Sequence, residues 1–186
     1  MHTWTLKWLA VIGVVGMAAT AAAHEFERAF FLTGVLHSRL DPAIVARIML
    51  RTAASAIFLL DSLVIGLGAF GHGLQARHVH EVLDPFPIEP DLRSMIYVVW
   101  YFVSGCMLAF GLTLIWAWQR LRAGDTRPWV AVLVIGVLYV GIGAFGLVYR
   151  NGDPFMAFFV ALGALLLASG YVLVRLPAAR TPRASA

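Results

Sequence analysis

Four apolar runs dominate the chain, over residues 53–71, 95–118, 129–149 and 155–174. Each is long enough, at 1.5 Å of helix per residue, to cross roughly 30 Å of hydrocarbon. Composition agrees. Hydrophobic residues make up 61% of the chain and charged residues 13%, with a mean hydropathy of +0.83. A soluble domain carries about 45–50% apolar and about 25% charged residues. The runs are joined by short polar breaks. The expected fold is therefore all-α: a polytopic membrane bundle of four core transmembrane helices arranged as two hairpins, with a further hydrophobic helix at the N-terminus.

Residues 1–23 form that N-terminal stretch. Ala21-Ala22-Ala23 before His24 has the small-residue pattern of a signal-peptidase site. The rival is an uncleaved helix from Trp4 to Ala23, which is long enough to span. Arginine placement arbitrates. Arg28, Arg39, Arg47 and Arg51 precede the first core span, Arg120, Arg122 and Arg127 follow the second, and Arg175, Arg180 and Arg183 close the chain. The intervening loops are arginine-poor or rich in acids. By the positive-inside rule the arginine-rich segments are cytoplasmic, which favours the uncleaved anchor and a cytoplasmic C-terminus in a bacterial inner membrane. Residues 24–52 are then expected to be an amphipathic cytoplasmic segment, 53–175 the four-helix membrane core, and 176–186 a disordered basic tail. Asp41-Pro42 is a helix-start signal. Residues 73–93 read as the longest core loop, and Asp84-Pro85-Phe86-Pro87-Ile88-Glu89-Pro90 is too proline-rich for regular helix.

The net charge of +4 and pI of about 9.7 reflect these arginines rather than a nucleic-acid surface. No basic run with interleaved aromatics is present, so no nucleic-acid partner is expected. Cys106 is the single cysteine, which excludes an internal disulfide.

One heptapeptide occurs twice in nearly the same form. Ile65-Gly66-Leu67-Gly68-Ala69-Phe70-Gly71 ends the first core span, and Val140-Gly141-Ile142-Gly143-Ala144-Phe145-Gly146 ends the third. The alignment sets Asp61 opposite Gly136 and suggests a duplicated hairpin, a parallel internal repeat. Chance is the competing account, because Gly, Ala and Phe are common in membrane helices and the match outside the heptapeptide is weak. Both copies also satisfy G-x-G-x-x-G. Dinucleotide binding is rejected, since that fingerprint needs a glycine turn between strand and helix. Gly66, Gly68, Gly71, Gly136, Gly141, Gly143 and Gly146 are instead read as helix-packing glycines.

Asp61 is the leading site candidate. It lies mid-span, where a carboxylate is costly unless protonated, paired or facing water. Asp61, Gly68 and His72 share a stripe at 100° per residue, a candidate proton or cation path. Ser104, Tyr139 or a backbone carbonyl are the expected partners if Asp61 is structural. His72, His78 and His80 with Glu81 form a second candidate, for Zn or Cu through neutral imidazoles, although His78 and His80 share a face only if the segment is extended. No histidine lies in the last three spans, so bis-histidine haem is not expected. Ser104 and Cys106 have no histidine at their depth to activate them. G-x-S-x-G, H-E-x-x-H and phosphate-loop motifs are absent. No family motif is legible and no cofactor is indicated. The reading this supports is a non-catalytic accessory or assembly subunit, partnered by the bilayer and by another membrane protein or a second copy. Ion- or proton-coupled transport through Asp61 and the His72 stripe is the alternative, and metal binding at the histidine loop the third.

Overall fold

The computed structural model describes residues 41–176. The expectations for residues 1–23, for 24–40 and for the basic tail beyond Leu176 lie outside that range. Five helices follow in order: α1 (Pro42–Leu74), α2 (Ala76–Leu83), α3 (Pro90–Arg122), α4 (Trp129–Tyr149) and α5 (Pro154–Arg175). There is no strand among the described residues. The α1–α2 stretch, α3, α4 and α5 are each long and apolar enough to cross a membrane. The chain is an all-helical membrane-spanning bundle.

Local chemistry sets where the helices begin. Proline occupies the first turn of α1, α3 and α5, where a missing N–H costs nothing. The Asp41 carboxylate accepts from the Ala43 amide and the Asp153 carboxylate from the Phe155 amide, each at 2.9 Å. Each acid satisfies a donor that has no helical partner. Gly152 at φ +84° and Asn151 at φ 50° make the tight return from α4 to α5.

Two boundaries differ from the sequence reading. There is no break near residue 52: α1 is one helix of 33 residues from Pro42, about 50 Å long. Arg47 and Arg51 lie within its early turns, because backbone hydrogen bonding does not require apolar side chains. Residues 76–83 are not loop but α2, closed by an Arg77–Glu81 pair at 3.1 Å. Apart from the turn at Gln75, only residues 84–89 of this stretch are irregular, as their prolines demand. α3 begins at Pro90, ahead of its apolar run.

The helices pair as two antiparallel hairpins, α1 with α3 and α4 with α5, and α1 also lies along α5. Lipid tails are as apolar as leucine, so no hydrophobic force drives these contacts, and close packing must do it. Glycine supplies the closeness. A methyl group added at Gly111 would lie 2.6 Å from the Gly66 nitrogen and 3.1 Å from the Ser62 carbonyl oxygen. One added at Gly163 would lie 2.6 Å from the Gly136 carbonyl oxygen and 2.8 Å from the Val140 nitrogen. The two hairpins thus cross in the same way. Their register is not the heptapeptide register, however. Packing makes Gly66 equivalent to Val140, whereas the repeated sequence pairs it with Gly141, which has nothing within 4 Å of an added methyl.

A shared core fills the space between the hairpins. Phe58, Ile65, Leu114, Val132, Leu166 and Leu173 are almost wholly buried within it.

Candidate functional site in the bundle interior

Asp61 sits in this core with 3% of its surface exposed. It lies about 15 Å along the axis from Arg51 toward one end of α1 and a similar distance from His72 toward the other. Phe58 and Ile65, three residues before and four after, share its face. Phe58 reaches α5, where its ring would lie 3.2 Å from a methyl on Gly170. The neighbouring face of α1, through Ser62 and Gly66, belongs to α3. Asp61 Oδ2 is buried and has no hydrogen-bond partner. The adjacent Ser62 hydroxyl does not serve it, because it donates to the Phe58 carbonyl at 2.7 Å.

Of the partners expected for Asp61, Ser104 is placed otherwise. Ser104 lies level with His72, not with Asp61: its hydroxyl donates to the Trp100 carbonyl at 3.2 Å and lies 2.9 Å from His72 Nδ1. Trp100 stacks on the imidazole at 4.1 Å and donates its indole N–H to the His72 carbonyl at 2.8 Å. Tyr139 is buried, with its ring 5.9 Å from that of Phe159. Along the Asp61–Gly68–His72 stripe, Asp61 is buried while Gly68 and His72 are half-buried, and a methyl on Gly68 would lie 3.0 Å from the Met107 methyl.

The histidines do not converge. Because α2 is helical, His78 and His80 point about 200° apart rather than to one side. His80 stacks on Tyr97 at 3.6 Å, and His78 Nδ1 lies 3.9 Å from Glu81. Among the described residues no three of His, Cys, Asp and Glu are grouped to hold a metal ion.

The glycines divide. Gly66, Gly136, Gly143 and Gly146 are buried against the chain's own helices, and an added methyl would meet backbone or side-chain atoms at each. Gly68 meets Met107, while Gly71 and Gly141 face open space. Their partners Gly111 and Gly163, and Gly170 against Trp129, Val132 and Phe58, escape a reading of the heptapeptides alone. All the heptapeptide glycines lie inside α1 and α4, with no turn for a dinucleotide.

The ends of the bundle differ in charge. Arg77, Arg93 and Arg150 at one end are each paired with an acid, at 3.1, 3.4 and 2.9 Å. The other end gathers Arg47, Arg51, Arg120, Arg122, Arg127 and Arg175, with Asp41 and Asp125 as the only described acids. There Arg51 reaches the C-terminus of α3, where its Nη2 donates to the carbonyls of Leu121 and Arg122 at 3.4 and 3.0 Å. Trp118 donates its indole N–H to the Ser55 carbonyl and hydroxyl at 3.0 and 2.9 Å. Comparison with protein-family models, with curated proteins and with solved structures finds no match for this chain.

Proposed function

We propose that the protein is a proton-coupled component of a membrane transport process in which Asp61 carries the exchangeable proton. One observation supports this reading above the others. Among the described residues Asp61 is the one acid buried in the apolar core, and it keeps one oxygen buried and unbonded. An unmet buried polar atom costs about 1–3 kcal/mol, and a charged one more. A membrane bundle that needed only to fold would be better served by an apolar residue at this position. Ionisable groups inside membranes are accordingly functional by default. A proton suits the site better than a metal cation, because among the described residues no group of acids or histidines accompanies Asp61 to hold an ion.

The assembly reading draws less support from the glycines than their sequence pattern suggested. Most of the glycines that suggested an external partner are used in packing the two hairpins. The arginine-bearing end is assigned to the cytoplasm, in a bacterial inner membrane, on the positive-inside rule.

Purified protein in proteoliposomes tests the function. Wild type is expected to move protons down an imposed gradient and to show an infrared carboxylic C=O band that responds to pH. Asp61→Asn should abolish both. An Asp61→Asn protein with wild-type flux and an unchanged band would sink the proposal. Thiol labelling of Thr126→Cys and Glu89→Cys from opposite sides of sealed vesicles checks the orientation.

A further inference from the structure

The arginine-rich end of the bundle holds a cavity that lies in line with Asp61. Its volume is about 150 Å³, and the described residues that line it are Ile48, Arg51, Thr52, Ser55, Arg122 and Leu173. We infer that it is a water-filled vestibule through which Asp61 exchanges its proton with that side of the membrane, and that the Phe58 ring is the barrier between them. The inference rests on the reading of Asp61 as a proton carrier.

Depth and lining suit water. Ile48, 41% exposed, stands at the mouth. It lies about 20 Å along α1 from Asp61, beyond the roughly 15 Å that separates mid-membrane from the hydrocarbon edge. Ser55, at the inner end, is only about 9 Å from the level of Asp61. A cavity takes up water where its walls offer polar partners, and at roughly 30 Å³ per molecule this one holds about five. Thr52 and Ser55 bring hydroxyls to it. Ser55 Oγ accepts the Trp118 indole N–H at 2.9 Å, which fixes the oxygen and leaves its proton for a water.

Phe58 closes the inner end. Ser55, Phe58 and Asp61 follow at three-residue steps, each turned about 60° from the last. Phe58 is the one α1 residue on that arc between the cavity and the acid, and it is wholly buried. The same step on α5 leads from Leu173, in the cavity wall, to Gly170. A methyl on Gly170 would lie 3.2 Å from the Phe58 ring and 2.7 Å from that of Trp129. The ring therefore sits in a notch left by the missing side chain, one turn inward of the cavity on both helices. Past it lies the unbonded Asp61 Oδ2. On release the carboxyl O–H bond breaks, the proton joins a vestibule water as hydronium, and the carboxylate keeps the electron pair. The positive charge of the arginine-rich end favours the carboxylate that remains.

Thiol labelling of the full chain in proteoliposomes tests this, with Cys106→Ser as background and a small anionic methanethiosulfonate as probe. Ser55→Cys should react from the side on which Thr126→Cys reacts, and not from the other. Asp61→Cys should be protected. Adding Phe58→Ala should speed its labelling by about tenfold, a barrier lower by about 1.4 kcal/mol. Thr52→Trp fills the vestibule, so it should block labelling of Ser55→Cys and, with Asp61 in place, slow proton flux. Thr52 is only half-buried, so this variant keeps the test decisive if Phe58→Ala does not fold. Ser55→Cys unreactive from the arginine-rich side, Asp61→Cys labelled equally with and without Phe58, or Thr52→Trp without effect would overturn the inference. Wild-type flux in Asp61→Asn with the labelling pattern intact would refute the proton-carrier reading and leave the water path standing. Flux lost in Asp61→Asn with Ser55→Cys unreactive would refute the vestibule alone.

Discussion

Gly111 is where the packing argument is most exposed to test. Substituting alanine places a methyl 2.6 Å from the Gly66 nitrogen and closer still to Gly66 Cα. Both are backbone atoms of α1 and cannot swing aside. Restoring an ordinary contact of 3.4 Å to the nitrogen alone requires the helices to separate by about 0.8 Å, and the nearer Cα requires more. A gap of that size forfeits about a quarter to a half of the dispersion energy of each contact along the α1–α3 line. In lipid nothing hydrophobic compensates, and overpacking of this kind costs about 1–3 kcal/mol. Alanine also raises helix propensity over glycine by about 1 kcal/mol, which would mask part of the loss. Gly105, on the same helix with nothing within 4 Å of an added methyl, provides the correction. Gly105→Ala gains the same propensity without the clash. The difference between the two variants therefore isolates the contact. In mixed micelles titrated with SDS and followed by tryptophan fluorescence, Gly111→Ala should unfold about 1–3 kcal/mol below Gly105→Ala. Gly66→Ala, whose methyl meets Gly111 at an ordinary 3.4 Å, should resemble Gly105→Ala. Equal stability of the Gly111 and Gly105 variants would refute the claim that backbone proximity holds this hairpin.

Three further outcomes follow from the same contacts. Trp118→Phe removes the indole donor to Ser55 and should destabilise the bundle by about 0.6 kcal/mol and at most ~1.7 kcal/mol in the same titration. Asp125 is held below the ordinary aspartate value of 3.8, chiefly by the Arg127 backbone N–H it accepts at 3.0 Å and next by the nearby Arg120 charge. Its contribution to the α3–α4 turn is therefore present above pH 3.8 and lost as pH falls through the depressed value. Amide exchange at Arg127 should accelerate in that acid range in wild type and show no such pH step in Asp125→Asn. Asp61→Leu should raise stability by about 1–3 kcal/mol, by removing an unmet buried oxygen, while abolishing proton movement. An Asp61→Leu chain less stable than wild type would make the acid a structural residue.

The spans were legible because lipid leaves a chain little choice. An apolar run of bilayer length, bounded by arginines and tryptophans, has one structural outcome. The start of α1 was signalled by Asp41-Pro42, yet Arg47 and Arg51 read as a boundary because hydropathy registers charge and not backbone bonding. Helix α2 was obscured by its length and polarity: Ala76, Val79 and Leu83 recur at helical spacing, but over only eight residues set among histidines and charges. Asp61 was visible as the lone mid-span acid, but its lack of a partner was not. That depends on the register of α3, which carries Ser104 to the level of His72. The same register brings Arg51 to the end of α3. Here a signal was available, since residues bordering adjacent spans of a tight hairpin must lie level. The glycines gave the mechanism of packing but not its address, as Gly111 and Gly163 stand outside the heptapeptides.

The glycine contacts also bear on how Asp61 could reach water. Within each hairpin, backbone lies against backbone at Gly66–Gly111 and at Gly136–Gly163. Such contacts have no side chains to rearrange, so sliding one helix past its mate meets immediate steric resistance. The seam between the hairpins is different. It is made by side chains, Phe58 against α5 at Gly170 among them, and side chains can change rotamer. Asp61 lies on the α1 face that carries Phe58, next to but not within the face locked to α3. Hydration of the acid is therefore easiest by relative movement of two rigid hairpins along the α1–α5 seam. An acid placed one residue along, at Ser62, would sit against the locked face, where no such movement could uncover it.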